Sequence, residues 1–294
     1  MESLELYTVK TPYRFFELER DSSKAQLVLL GFPYDSTSCY RVGSRYAPLH
    51  IRIQSSAMEG YSWELGVEIS EMSIADAGDL LVVHGNTKET LKRLTEVVTE
   101  LVLSGKRVGV IGGEHTLTIG SIRGCSPKSL IVFDAHLDLK DEYPYGQKLS
   151  HATWLRRCLE EAKLEIVVIG VRATSKEEIK EARKLDLSLI TFNQCKEVGS
   201  NIVTDRFSDL PEPMYVSVDV DVLDPAYAPG VSNPEPLGFT LHELLKYLWL
   251  LRGKAIIGFD VTEVCPPHDN GAACISACKI LMDLALLSLM SAKL

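Results

Sequence analysis

The run Phe133-Asp134-Ala135-His136-Leu137-Asp138 sets a carboxylate or an imidazole at every second position, directly after an apolar stretch. Val218-Asp219-Val220-Asp221 does the same further along. On a strand, alternate residues share one face, so Asp134, His136 and Asp138 are expected to converge at one sheet end, as are Asp219 and Asp221. Four carboxylates crowd into one cleft only when something cancels their repulsion, because buried unpaired charge is costly. A metal ion does this, and so many carboxylates argue for two. His115 joins the set: it follows Gly112-Gly113-Glu114, where paired glycines allow a tight turn and close backbone approach. Two imidazoles and four carboxylates without a cysteine suit manganese or magnesium better than a closed structural zinc site. Two such ions, about 3.5–4 Å apart, lower the pKa of a shared water. The chemistry this predicts is hydrolysis of an unactivated carbon or phosphorus centre. Asp224-Pro225, beside the second pair, reads as a turn rather than a ligand.

The elements that must position these residues form an alternating pattern. Apolar runs at 26–30, 107–111, 129–133, 165–169, 188–191, 214–218 and 255–259 read as strands, and amphipathic stretches lie between them. Helices are expected over 88–104, 240–251 and 272–287. The first has Leu91, Leu94, Val98 and Leu101 as its stripe, Asn86 or Thr87 as its cap and Gly105 at its end. This predicts an α/β fold, a single three-layer α/β/α domain spanning 1–294 with a mainly parallel sheet, and an irregular N-terminal arm over 1–24. His115, the Asp134 cluster, the Asp219 pair and Glu263 all fall just past strand ends, the edge where open α/β sheets bind ligands.

Composition narrows the partners and is compatible with a cationic substrate. The 294 residues are 46% hydrophobic, enough for a sizeable core, and carry a formal net charge of −9, which opposes nucleic acid or an anionic membrane as partner. The N-terminus lacks a basic and apolar leader pattern, and no uninterrupted apolar run is long enough to span a bilayer, so a cytoplasmic location is expected. Seven cysteines without a CxxC pair predict reduced thiols, with Cys274 and Cys278 packing on one helix face.

The chain resembles the arginase/agmatinase (ureohydrolase) family, and more closely its agmatinase branch. The resemblance is carried by Gly31-Phe32-Pro33-Tyr34-Asp35, by Tyr40-Arg41-Val42-Gly43-Ser44-Arg45-Tyr46-Ala47-Pro48, and by the stretches 112–116, 134–138 and 217–225. Ser150-His151-Ala152-Thr153, Pro234-Glu235-Pro236 and Asp260-Val261-Thr262-Glu263-Val264 complete it. It implies two Mn2+ per subunit, one held by His115, Asp134, Asp138 and Asp219, the other by His136, Asp134, Asp219 and Asp221. It implies a hydroxide shared between the ions attacking a guanidinium carbon, with release of urea and an amine. Glu263 matches the family's guanidinium-binding carboxylate, which fits a cation that stays charged and pairs bidentately. His151 matches the proton shuttle to the leaving amine, work an imidazole suits. Asp138 counts with these two as catalytic. Arg41 and Arg45 read as structural or interface residues, and the family suggests a homo-oligomer, trimer or hexamer.

The resemblance implies agmatine as substrate, a small cationic guanidino compound, giving putrescine and urea. Aminopropylagmatine, guanidinobutyrate and arginine stand as alternatives, and so does a non-catalytic polyamine- or metal-binding relative. The segment 140–149 lacks the asparagine pattern that holds arginine's α-carboxylate in arginases, and Asp141 and Glu142 are expected at the cleft entrance to attract a terminal ammonium. The family usually has Asp where this chain has Glu114, Gly where it has Ala152, and Thr-Gly-Thr where it has Val231-Ser232-Asn233. Gly112-Gly113 lacks the full pattern of a nucleotide site.

Overall fold

Alternating apolar residues on each central strand feed two separate cores. Leu27, Leu29, Ile131, Phe133, Val216 and Val218 face one core, while Val28, Leu30, Leu130, Val132 and Tyr215 face the other. A sheet with two apolar faces must be covered on both. The computed structural model, which describes residues 2–290, shows this: helices flank a nine-stranded sheet in three layers.

The strands are β1 (Thr8–Val9), β2 (Leu27–Gly31), β3 (Tyr61–Ser62), β4 (Val67–Glu68), β5 (Ile74–Leu80) and β6 (Arg107–Ile111). They continue as β7 (Ser129–Phe133), β8 (Glu165–Val171), β9 (Ser188–Thr191), β10 (Met214–Asp219) and β11 (Ile256–Thr262). β3 and β4 form a separate hairpin, and the main sheet runs β1-β5-β2-β6-β11-β10-β7-β8-β9. Every neighbouring pair in it is parallel except β1 with β5. The first half of the chain lays β1, β5, β2 and β6 on one side, with β6 innermost, β7 to β9 run outward on the other, and β10 and β11 later fill the gap between β6 and β7. The ends of β6, β11, β10 and β7 therefore lie side by side at the point where strand order reverses, and this is where a crevice opens.

One face carries α1 (Glu2–Tyr7), α3 (Thr87–Leu103), α4 (Leu117–Cys125), α5 (Trp154–Glu161) and α6 (Lys176–Lys184). The other carries α2 (Ala47–Ser55), α7 (Phe192–Val198), α8 (Asn201–Asp209), α9 (Leu241–Trp249) and α10 (Ala272–Met290). Asn86 caps α3 by accepting from the Glu89 N–H at 3.0 Å, and Thr240 with Glu243 makes a capping box on α9. α10 is long and apolar enough to cross a membrane, but most of it is buried in the core. Its charged Asp283 accepts from Lys279, Trp249 and Ser62. Cys274 and Cys278 pack there as free thiols.

Two features depart from the sequence reading. The N-terminal arm is not irregular throughout. Glu100 of α3 accepts from the backbone N–H groups of Ser3 and Leu4, which satisfies the first turn of α1, and β1 pairs with β5. The cap comes from a distant helix, so no local signal announces it. β5 itself was not expected, because Asp76 and Asp79 interrupt its apolar pattern. Both pair with Arg52, which is fully buried: Arg52 Nε lies 2.7 Å from Asp76 and its Nη1 2.5 Å from Asp79.

Candidate metal centre

Four adjacent strand ends bring the chemical residues together, but not by strand alternation. β7 stops at Phe133, so Asp134, His136 and Asp138 lie in the loop beyond it, and Asp138 takes a left-handed backbone with φ +48°. The expected shared strand face is thus a curled loop. It is stapled by the His136 N–H donating to Asp134 Oδ1 at 2.7 Å and the Ala135 N–H donating to Asp221 at 3.2 Å. Asp219 closes β10, and Asp221 sits in a single 3₁₀ turn whose N–H donates to Asp219 Oδ1 at 2.8 Å. At β6, a Cβ on Gly113 would run into the Tyr34 carbonyl oxygen. That close approach fixes the loop carrying His115. β11 runs on to Thr262, and Glu263 follows at φ +67°, anchored by its N–H to the Gly113 carbonyl at 2.9 Å.

Two overlapping groups of side chains can each hold a cation: His115 with Asp134 and Asp138, and Asp134 with His136 and Asp221. The ligand atoms of each lie within 4.8 Å of one another. Asp134 is common to both. His115 Nδ1 lies 3.3 Å from Asp134 Oδ2 and 3.1 Å from Asp219 Oδ2, so Asp219 joins the first group, while His136 Nδ1 lies 2.9 Å from Asp221 Oδ2. Burial penalises a charged imidazole. Even so, hydrogen bonds to Asp134 and Asp219, with the charge of both, hold His115 well above the usual histidine range. Burial likewise opposes charge on His136, but Asp221 and Asp134 draw it upward. Burial pushes Asp138 and Asp219 well above the carboxylate range, with neighbouring aspartates adding to it. The cluster thus calls for positive charge, which imidazolium supplies only in part.

A divalent metal fits these residues. Asp134 Oδ2 is fully buried with no donor nearer than His115 Nδ1 at 3.3 Å, and the ligand set is rich in oxygen. Ser217 donates to Asp260 at 2.6 Å, so towards His115 Nε2, 2.8 Å away, it accepts. That puts a proton on Nε2 and leaves Nδ1 as the nitrogen able to ligate a metal. Trp154 stacks on His115, ring centroids 4.2 Å apart, and donates from Nε1 to Asp138 Oδ2 at 2.9 Å.

The arginase family model matches residues 25–287 of this chain. The chain belongs to the arginase family. It is 36% identical over 282 residues to the agmatinase of Pyrococcus horikoshii, covering 94% of this chain and 96% of that one. It is 34% identical over 282 residues to the N(1)-aminopropylagmatine ureohydrolase of Thermococcus kodakarensis, covering 94% of this chain and 95% of the relative. Among solved structures, the agmatine ureohydrolase of Thermoplasma volcanium superposes with a TM-score of 0.89 at 31% identity, covering 98% of this chain and 97% of that one. As a ureohydrolase of the agmatinase type, the protein hydrolyses guanidino C–N bonds.

In this arginase-family chain the two ligand groups open into a cleft of about 200 Å³ whose wall includes His151, Glu263, Lys140, Tyr143, Asn233 and Glu235. A larger cleft, about 500 Å³, lies by the N-terminal arm and contains none of the six ligand candidates. Glu263 Oε1 accepts the His115 N–H at 2.7 Å, and burial pushes the carboxyl up to about 7 against the opposing pull of Ser232 and the His115 N–H. Burial and then the Lys140 charge lower His151 to about 4, so its ring is neutral at neutral pH. Asp141 and Glu142 do not line the cleft. Asp141 turns to Arg157, 3.0 Å away, and to Arg156, because the loop directs it onto α5. Glu235, 3.7 Å from His136 Nε2, and Lys140, 4.2 Å above the Tyr143 ring, stand at the cleft instead. Arg45 pairs with Asp35 and Arg41 donates to the Pro229 carbonyl at 2.8 Å, both structural contacts. Thr37, Trp154, Ser217 and Asp260 support the site but escaped the sequence reading. Their one visible signal was membership of, or closeness to, the matched motifs.

Proposed function

We propose that this protein hydrolyses agmatine to urea and putrescine with two manganese ions, held by His115, Asp134, Asp138, His136, Asp219 and Asp221. The observation that carries the reading is the buried Glu263 carboxylate, pushed up to about 7 by burial, in a cleft wall shared with both ligand groups. Burying a carboxylate is costly unless a cation meets it. A guanidinium supplies donors and permanent charge together, in a planar fork that matches a carboxylate. The agmatinase and aminopropylagmatine ureohydrolase relatives support a guanidino compound with a cationic tail.

When bound, the ions supply an acidified water and positive charge where the carbonyl of urea develops. The chain's own residues do the rest. Glu263 anchors the guanidinium and sets its carbon beside the ligand cluster. His151, neutral and at the wall, carries a proton towards the departing amine. Glu235 faces the far ammonium of the substrate. Assembly as a trimer or hexamer belongs to the same reading and is checked by light scattering.

Urea release from a panel of agmatine, aminopropylagmatine, guanidinobutyrate and arginine, with manganese added to metal-free protein, is the test. Agmatine is expected to lead, with two equivalents of metal needed, and Glu263→Gln is expected to lower agmatine kcat/KM by about 100-fold or more. No urea from any of the four, or full activity with one zinc or no metal, refutes the proposal.

A further inference from the structure

Thr37 lies in the loop after β2, far in sequence from both groups its hydroxyl touches. A threonine hydroxyl has one proton to give and two lone pairs to receive. The proton goes to Glu114, whose Oε1 is 2.8 Å from Thr37 Oγ1. The same carboxyl group accepts the Thr37 backbone N–H at 2.7 Å and the Thr116 hydroxyl at 2.5 Å. Burial raises the Glu114 pKa, but the Thr116 hydroxyl and the Thr37 N–H and hydroxyl that converge on it favour the carboxylate, the form that accepts from all three.

That leaves the Thr37 oxygen with lone pairs only, and both are directed at residue 151. The His151 backbone N–H donates to it at 3.1 Å, and His151 Nδ1 lies 3.2 Å away. An oxygen whose only proton is committed elsewhere makes a hydrogen bond to a ring nitrogen only if that nitrogen carries hydrogen. Nδ1 is therefore the protonated nitrogen, and the lone pair of the neutral ring falls on Nε2, in a side chain that lines the cleft.

We propose that Thr37, itself held by Glu114, is a positioning residue that fixes His151 in the Nδ1–H tautomer so that Nε2 is the atom that receives and returns the proton. The inference rests on the reading of His151 as proton carrier. In that reaction the attacking water forms its O–C bond to the guanidinium carbon and passes a proton to Nε2. The C–N bond then breaks with its electron pair going to the amine nitrogen, which takes the proton from Nε2. Nδ1–H does not move. While the ring is cationic its hydrogen bond to Thr37 is charge-assisted, which favours the proton-carrying state. The opposite tautomer would place N–H against the water and leave no lone pair to accept.

The test is ¹⁵N-histidine NMR at neutral pH on enzyme loaded with zinc or magnesium, which are diamagnetic, with the His151 signals assigned by difference from His151→Ala. The wild-type spectrum is expected to show hydrogen on Nδ1 and none on Nε2. Hydrogen on Nε2 overturns the proposal, whatever the variants do. Thr37→Val removes the acceptor while keeping the shape. It is expected to mix the tautomers and to lower manganese-supported kcat by about 10-fold or more, with KM held within about twofold. Thr37→Ser is expected to restore both the spectrum and the rate. An unchanged tautomer in Thr37→Val also overturns the proposal. A changed tautomer with an unchanged rate upholds the Thr37 contact and refutes the role of His151 instead.

Discussion

Asp134 carries the heaviest demand of any side chain in the cluster, because it belongs to both candidate ligand groups and is fully buried. Replacing its carboxylate with an amide removes charge from two sites at once. Asp134→Asn and Asp219→Asn are accordingly expected to lose divalent metal as well as activity, as read by metal analysis after gel filtration. His151→Ala is expected to keep its metal and to lose about 10²–10⁴-fold in kcat, the usual weight of a proton-transfer group, with partial recovery in small-amine buffers. Metal retained in Asp219→Asn but lost in His151→Ala would reverse the roles. At this scale the residue types were legible and their surroundings were not. Carboxylates and imidazoles at short spacing announce metal chemistry, whereas Thr37 on His151 and Trp154 on Asp138 are contacts across the fold. Asp141 shows the opposite error: its charge was read correctly, but its direction depends on a loop path that ends on Arg157.

The strands around the site were readable because they are buried on both faces, so apolar runs such as Ser129–Phe133 stand out without any alternation to decode. β5 was missed for the converse reason: its aspartates are paid for by a buried arginine three elements away, not by anything local. The loops at the strand ends obey backbone geometry more than side-chain pattern, and Gly113 is the clearest instance. The Cβ of an alanine there would press on the Tyr34 backbone, which cannot swing aside as a flexible side chain can. The loop must move, and with it go both the Glu263 anchor to the Gly113 carbonyl and the position of His115. Gly113→Ala is therefore expected to fold, with a helix and sheet signal in circular dichroism close to wild type, yet to bind divalent metal at least about tenfold more weakly. Wild-type metal affinity in the variant would show that the close approach is not what sets the loop.

Charge acts at the scale of the whole molecule. The formal net charge of −9 surrounds a cleft whose wall is rich in carboxylates, and the two divalent ions proposed here would still leave the total negative. Such a field raises the local concentration of cations and is weakened by salt, since the screening length falls from about 10 Å at 0.1 M to about 3 Å at 1 M. Agmatine carries a guanidinium and an ammonium, two positive charges, and responds fully. Guanidinobutyrate carries the same guanidinium but a carboxylate at the far end, so its net charge is zero and the long-range attraction cancels. Raising salt from low to about 0.5 M is expected to lower agmatine kcat/KM roughly threefold or more, through KM, with little change for guanidinobutyrate. The local contribution separates from the global one through Glu235, which stands at the cleft about a third exposed, its side chain 38% accessible. Glu235→Gln is expected to raise agmatine KM while leaving most of the salt slope in place, because the slope belongs to the whole surface and Glu235 is only one charge in it. Equal salt slopes for the two substrates would confine recognition to short-range contacts and remove any part for the molecule's overall charge.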